Sequence, residues 1–397
     1  MLFRGHFVVY DKVDMRICMI SASFLPVVGG VQFQVKYQAE AIAKEGVELF
    51  FLSFADGEKF LDKGSKGFPE YVRLKKKNPI AGAVELFRLI RKISPDVIHV
   101  QSAETQAFQV AFLKFLGLIR QPFIITSYGV DIMTSPEIGY GFRLKPHLNL
   151  IIRFILKKAT KHVIIGKLMQ KFALEAGSAP DKIIEINNAI SLERKKISEE
   201  KSSLILEKFN ITPETTLLFS LSGMRSLKGL EYLVQAMPLI IKKFPKAKLI
   251  LVGKANDEYE KYIRALVKSL GIENNVDFVG FITDEDEKVV LLRRTDIFCK
   301  PSILEACSIA ILEAMREGRV VVATVPGGID IITDNENGLL VKVKNPEDFA
   351  EKTIKVLKDK NLRGKIEAGA REHVKNFDIK KIASQYVALY NEVAKRR

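Results

Sequence analysis

The chain has 397 residues, of which 47% are hydrophobic and 27% charged, and its formal net charge is +15. That length exceeds one ordinary core and predicts two domains of roughly 150–200 residues each. The composition excludes a disordered or fibrous chain, and no apolar stretch reaches the about eighteen uncharged residues that span a bilayer; the longest, Leu148–Leu156, is broken by Arg153.

Residues 1–14 read as an N-terminal extension and not as a secretion signal, because their apolar run is short and Asp11, Lys12 and Asp14 follow it at once. A strand pattern begins directly after Met15, which makes Met15 the expected natural start. Cys18, Cys299 and Cys307 are widely spaced and lack paired metal-ligand spacing. They read as buried thiols of a cytoplasmic protein. Positive charge is clustered. Between Glu137 and Glu175 there is no acid but there are Arg143, Lys145, Arg153, Lys157, Lys158, Lys161, Lys167 and Lys171, and Lys75, Lys76 and Lys77 form a second knot. Such clusters attract anionic headgroups or phosphates, so peripheral contact with the inner membrane face is one expectation and a lysine-rich solvated surface is the other. The aromatic-interleaved basic motifs of RNA readers are missing, and no nucleic-acid partner is expected.

Strand and helix patterns alternate along the chain. RICMISA, VELFFLSF, DVIHV, PFIITS and KHVIIG are short β-rich apolar runs, and VQFQVKYQAEAIAKEG after Gly30 has helical spacing with Gly46 as its stop. The rhythm resumes with TTLLFSLS, AKLILVG, VDFVGF, TDIFCKPS and RVVVATV. Continuous apolar strands separated by helices predict parallel sheets covered on both faces, hence an α/β chain with two doubly wound, Rossmann-like domains. The expected divisions are a first domain over 15–190, a polar linker over 191–212, a second domain over 213–377, and a helix over 378–397 that packs back across the first domain. Ligands of such sheets bind in loops at the carboxyl ends of the strands.

The most distinctive loop is PSILEACSIAILEAMREG, Pro301 to Gly318. Ser308 is a candidate N-cap and Gly318 a helix stop. The free N–H groups at the helix start, at Ser308 and Ile309, suit a diphosphate. Glu305 in the loop and Glu313 in the helix are candidate acceptors for sugar hydroxyls, against the plain reading of two solvated glutamates. A second loop, SGMRSLKGLEYLVQA, carries Gly223, Arg225 and Lys228. Two cations at a helix start neutralise a leaving diphosphate and can replace a metal. Gly253, closing AKLILVG, joins this donor-binding set. Gly29 and Gly30 after the first strand allow close approach of a ligand to backbone, or form a simple strand-to-helix turn. The run Asp284–Glu287 reads as a solvated helix start. No phosphate-binding P-loop, dinucleotide fingerprint or zinc spacing is present in the sequence.

At these residues the chain resembles family 4 of the retaining glycosyltransferases with the GT-B fold. Pro301-Ser302, Glu305, Glu313-Ala314-Met315, Gly318, the strand VVVATV, Gly327-Gly328 and Asn337–Val341 follow the family's order and spacing. Lys228-Gly229 and Gly29-Gly30-Val31-Gln32 match as well, and Asn188 keeps the register of an Asn-containing turn before the linker. The resemblance implies two domains across a cleft and a UDP- or GDP-hexose donor bound mainly by the second. It further implies a glycan or lipid-linked acceptor over the first domain, retention of anomeric configuration, and no metal or other cofactor. It assigns Glu305 to the transferred sugar, Glu313 to the ribose, and Lys228 with Arg225 to the diphosphate.

Four departures stand out. Ala306-Cys307-Ser308 replaces the frequent Gly-Phe-Gly, and Arg225 lies three residues before Lys228 where five is common. Tyr128 takes the place of a histidine near the reacting centre, and Gln101 replaces a second one, while His99 is kept. Tyr128, His99 and Asn188 are candidate acceptor or sugar contacts, with packing as the alternative for Tyr128 and a core position for His99. A GT-B epimerase and a catalytically silent partner subunit are the rival functions.

Overall fold

The computed structural model describes residues 15–22, 24, 29–54, 60–62, 69–74, 78–254 and 257–395. The expected N-terminal extension and the Lys75–Lys76–Lys77 knot lie outside the described residues.

The first half begins with β1 (Arg16–Ser21), α1 (Gly30–Lys44), β2 (Glu48–Phe54), β3 (Phe60–Asp62) and β4 (Glu70–Leu74). It continues with α2 (Pro79–Ile93), β5 (Val97–Gln101), α3 (Thr105–Phe115) and β6 (Phe123–Ser127). α4 (Pro146–Lys158), β7 (Lys161–Ile164), α5 (Leu168–Glu175) and β8 (Ile183–Glu185) complete it. Among the described residues these strands form an eight-stranded sheet in the order β3-β4-β2-β1-β5-β6-β7-β8. It is parallel apart from the β3–β4 pair. Every residue of β5 and β6 is buried, as a strand covered by helices on both faces requires.

The second half opens with α6 (Glu199–Lys208), β9 (Thr216–Leu221), α7 (Leu230–Ile241), β10 (Ala247–Val252) and α8 (Asp257–Ser269). β11 (Val276–Gly280), α9 (Glu285–Arg294), β12 (Ile297–Lys300), α10 (Ile309–Arg316) and β13 (Val320–Thr324) follow. The last elements are α11 (Val325–Gly328), β14 (Leu339–Val341), α12 (Pro346–Lys358), α13 (Lys360–His373) and α14 (Ile379–Ala394). Its sheet is parallel throughout, in the order β11-β10-β9-β12-β13-β14.

In both sheets the chain winds outward and then reverses direction, once between β1 and β5 and once between β9 and β12. Loops leaving strands on either side of such a reversal diverge and open a crevice at the carboxyl edge. The glycine turn follows β1, and the Lys228 and Glu305 loops follow β9 and β12. The sequence motifs therefore meet at the two points where topology opens a crevice.

Two segments cross between the halves. Ile190 and residues 377–379 exchange backbone hydrogen bonds, Ile190 N–H to the Phe377 carbonyl at 3.0 Å and Ile379 N–H to Ile190 at 2.9 Å. α14 then packs on α1 and buries Ile382, Tyr386, Leu389, Tyr390 and Val393 in the same cluster as Ile17, Val35 and Phe51. The region 191–212 contains more than a polar linker. α6 forms within it, capped by Ser198, and is fixed to α9 by Lys201–Asp286 at 2.5 Å and by the Lys208–Glu287 pair. The Asp284–Glu287 run thus caps α9 and also holds α6. Arg194 is anchored on the fully buried Glu317 carboxylate at 2.9 Å.

The three cysteines are free thiols, all buried. Burial pushes Cys18 up to about 12 and the other two higher still, so none is a thiolate near neutrality.

His99 lies in the core and not at a ligand surface. Fully buried on β5, its Nδ1 meets the Tyr390 hydroxyl at 2.7 Å and its Nε2 the Thr126 hydroxyl at 2.7 Å. The expected sugar contact is corrected accordingly: no sugar hydroxyl reaches an imidazole sealed beneath α14. Burial pushes its pKa down to about 3, so the ring is neutral across the working range. Tyr390→Phe is expected to destabilise the fold by about 1–3 kcal/mol, since one buried ring nitrogen loses its partner. Urea unfolding read against wild type measures this.

Candidate active site

The corner between β9 and β12 is built by close backbone contact. Gly229 ends the Lys228 turn at φ +60, and a Cβ there would lie 2.3 Å from the Pro301 carbonyl oxygen. The Ile303 N–H donates to the Leu227 carbonyl at 2.9 Å. These contacts press the two loops together and set Lys228 beside Glu305. Gly253, at φ +153, has the same restriction, because a Cβ would lie 1.9 Å from the Ser222 carbonyl oxygen. It lets the β10 loop run alongside the β9 loop, where the Met224 N–H meets the Lys254 carbonyl at 2.9 Å.

Glu305 is the electrostatic centre of the corner. Its Oε2 accepts from Lys228 Nζ at 2.8 Å and from the Ser302 hydroxyl at 3.2 Å. Lys300 Nζ lies 2.9 Å from the same oxygen. Burial works to raise the pKa of this carboxyl, but the Lys228 and Lys300 ammonium groups outweigh it and hold it far below the usual carboxylate range. Glu305 is therefore ionised near neutral pH.

Around this centre the other expected donor residues gather. Arg225 is exposed on the same loop and has no ion pair among the described residues. Its guanidinium lies over Gly223. Ser308 is the N-cap of α10, although its side chain makes no capping bond. The helix starts at Ile309, whose amide has no carbonyl of a preceding helical turn to meet. The turn 306–308 contains no residue with positive φ, so Ala306, Cys307 and Ser308 adopt it without glycine. Glu313 sits one helix turn on, paired with Lys288 at 2.8 Å. Gly30 faces this helix across the cleft, where a Cβ would meet Ile309 Cδ1 at 4.0 Å. Gly29 begins α1 in extended backbone. Neither glycine needs a left-handed angle, and a Cβ at Gly30 would make only ordinary van der Waals contact with Ile309.

The N-terminal side closes over the corner. Asn188 Nδ2 donates to the Cys307 carbonyl at 2.8 Å, so this residue braces the α10 loop from the opposite half and does not point into open cleft. Asp330, after the Gly327-Gly328 turn, accepts from the Leu168 N–H at 3.1 Å and so caps α5 from across the cleft. Lys344 pairs with Glu137. Tyr128 is half-buried. Its hydroxyl donates to Gln101 Oε1 at 2.8 Å, and burial followed by neighbouring Tyr386, Tyr390 and Asp131 pushes its pKa well up. A hydroxyl so held stays protonated and is no general base.

Lys300, Tyr140 and Asp330 escaped sequence reasoning. Lys300 ends a buried strand and is itself 3% exposed, and a charged residue closing the apolar run IFC was the available signal. The Tyr140 hydroxyl is raised by burial and then by Asp131 and Glu305, with Arg225 opposing. Nothing in its local sequence marks it. Among the described residues, no three His, Cys, Asp or Glu side chains are grouped as metal ligands.

Two facing doubly wound halves, with a cationic, carboxylate-bearing corner at the crevice between them, define the GT-B class of sugar-transferring folds. The Glycosyltransferase Family 4 profile matches residues 28–194, and the profile of the Glycosyl transferases group 1 matches residues 202–373. The chain belongs to this glycosyltransferase family. It is 28% identical over 321 residues, 79% of each chain, to the N-acetyl-alpha-D-glucosaminyl L-malate synthase of Bacillus anthracis. It is 23% identical, over 96% of this chain and 94% of the other, to the phosphatidyl-myo-inositol mannosyltransferase of Mycolicibacterium smegmatis. Its fold superposes on Anabaena HepE in complex with UDP and glucose with a TM-score of 0.78 at 20% identity, covering 95% of this chain and all of that one.

Gly229→Ala is expected to disrupt the corner. The left-handed angle alone costs about 1–3 kcal/mol for a residue with a side chain, and the Cβ also displaces the Pro301 carbonyl. A lowered melting temperature, together with lost affinity for nucleoside diphosphate in calorimetry, is the expected pair of results.

Proposed function

We propose that the protein transfers a hexose from a UDP- or GDP-hexose to a glycan or lipid-linked acceptor with retention of anomeric configuration. The carrying observation is the Glu305 carboxylate set within hydrogen-bond distance of two lysines at the start of α10. Pyrophosphate needs concentrated positive charge, and Lys228, Arg225 and the amide end of α10 supply it. Glu305 then accepts hydroxyls of the transferred sugar, and Glu313, released from Lys288, accepts those of the ribose. With these cations at the leaving group no metal is required. Tyr128 offers no base, which suits a retaining route in which the departing phosphate oxygen takes the acceptor proton. The closed cleft keeps water from the activated donor.

A lipid-linked acceptor at an anionic membrane is supported by the outer face of α3 and α4. Phe112, Phe115, Leu116 and Leu118 are exposed at the end of α3, and Leu150 on α4. The Phe115 ring meets those of Phe112 and Phe154. Lys158 Nζ lies 4.7 Å from the Phe115 centroid, and Arg153 and Lys157 are exposed on the same helix. Aromatic side chains among cations fit the headgroup level of a negatively charged bilayer. No helix among the described residues is long and apolar enough to cross one. The relative from Mycolicibacterium is named for a phosphatidyl-inositol acceptor, which agrees with this surface.

The donor is identified by a thermal-shift panel of UDP-, GDP- and ADP-hexoses, since a bound donor raises the melting temperature by mass action. Either UDP- or GDP-hexose is expected to raise it, and a panel without effect overturns the reading. With the donor in hand, Glu305→Ala and Lys228→Ala are each expected to lower transfer about 100–1,000-fold, and the anomeric coupling in the product's NMR spectrum reports retention. Activity abolished by EDTA and restored by a divalent ion contradicts metal independence. Flotation should favour phosphatidylglycerol over phosphatidylcholine vesicles and lose that preference in Phe115→Glu; equal flotation removes the membrane part of the reading.

A further inference from the structure

Glu305 holds its ligands on one oxygen. Lys228, Lys300 and Ser302 all reach Oε2, and no described residue donates to Oε1. The two lysines differ in freedom. Lys228 ends an exposed turn with its side chain 17% exposed. Lys300 is the last residue of β12, its side chain 4% exposed, under Glu305. A pyrophosphate at the start of α10 competes with Oε2 for Lys228, whose turn lies at the mouth of the site. It has no path to Lys300.

We propose that Lys300 is a positioning residue: a fixed counter-ion that keeps Glu305 ionised, with Oε2 turned inward and Oε1 toward the sugar, while Lys228 transfers to the donor's pyrophosphate. This inference rests on the donor reading given above. Without Lys300, donor binding would strip a largely desolvated carboxylate of its last ammonium partner, which raises its pKa and favours the protonated form. A protonated Glu305 then donates from one oxygen and is a poor acceptor for a sugar hydroxyl. The other charged or titratable groups facing this carboxylate are few. Arg225 lies on the Lys228 loop, and Tyr140 comes from the loop after β6. Cys307, with Asp330 beyond it, lies on the α10 side. The Tyr140 hydroxyl and the Cys307 thiol are both raised, and so neutral. Asp330, raised by burial, is common to every variant compared below, and Lys300, itself lowered by burial, is absent from both Lys300→Met proteins, so the difference between those two reports Glu305.

The test is the number of protons taken up when UDP or GDP, whichever stabilises the wild-type protein, binds at about pH 6, the range where the nucleotide's own terminal phosphate titrates. Calorimetry in two buffers of different ionisation enthalpy measures it. Wild type is expected to take up no more protons than Glu305→Gln, in which Lys300 has lost its carboxylate, and the nucleotide's own contribution is common to both. Lys300→Met should take up about one proton more than Lys300→Met/Glu305→Gln, and Lys300→Arg should return to the wild-type number. Transfer should fall about 10–100-fold in Lys300→Met, as it does when orienting partners are removed at metal sites. Its activity should show an acid limb at higher pH than wild type, because a carboxyl with a raised pKa loses its charge earlier as pH falls. Partial recovery in Lys300→Arg is expected. Equal proton uptake in Lys300→Met and its double variant overturns the inference. So does one extra proton in wild type over Glu305→Gln, a result that needs no folded Lys300 variant. If wild type binds neither nucleotide, the donor reading fails instead.

Discussion

The structure depends on a partly buried carboxylate that two ammonium groups keep charged. Ionised groups withdrawn from water require nearby opposite charge and hydrogen bonds, and Glu305 obtains both from Lys228, Lys300 and Ser302. The arrangement carries one more positive than negative charge and sits where α10 presents its amide end. An anion is what this corner lacks. A donor with a pyrophosphate next to a polyhydroxylated sugar matches it in two adjoining chemistries, positive charge for the one and an anchored acceptor oxygen for the other.

The fold exists to bring that corner under a lid of its own chain. The carboxyl ends of β9 and β12 supply the cations and the carboxylate, and the carboxyl ends of β1 and β6 face them. The halves are held by a few polar contacts, such as Asn188 to Cys307, Asp330 to Leu168 and Lys344 to Glu137. Apolar packing also runs through both halves, with Ile190, Cys307 and Ile331 in one buried cluster. The two crossings at Ile190 and Phe377 are paired with each other by backbone hydrogen bonds. They form a paired double crossing between the halves, and α14 is packed in the first core.

Much of this was legible in the sequence. The apolar runs became the strands, because a strand buried on both faces must be continuously hydrophobic, and Glu305, Glu313 and Lys228-Gly229 were singled out by their resemblance to the family's motifs. β3, β4 and β8 were not anticipated: they are short edge elements, and β3 and β4 carry alternating or polar residues that give weak signals. α6 was hidden because its helix is polar and stabilised by ion pairs with the distant α9. Lys300 needed the structure as well. Position along the chain shows that it closes β12, but only the fold shows it lying under Glu305. His99 shows the opposite error, since its chemistry drew attention to a ring whose partners, Thr126 and Tyr390, come from a neighbouring strand and from the far end of the chain.

A crystal structure with an intact nucleoside-diphosphate hexose is the most direct test of the central exchange. The expected result is Lys228 Nζ on the pyrophosphate, Lys300 still on Glu305 Oε2, and a hexose hydroxyl on Oε1. A pyrophosphate bound away from the start of α10, with Lys228 unmoved from Glu305, is the result that contradicts it.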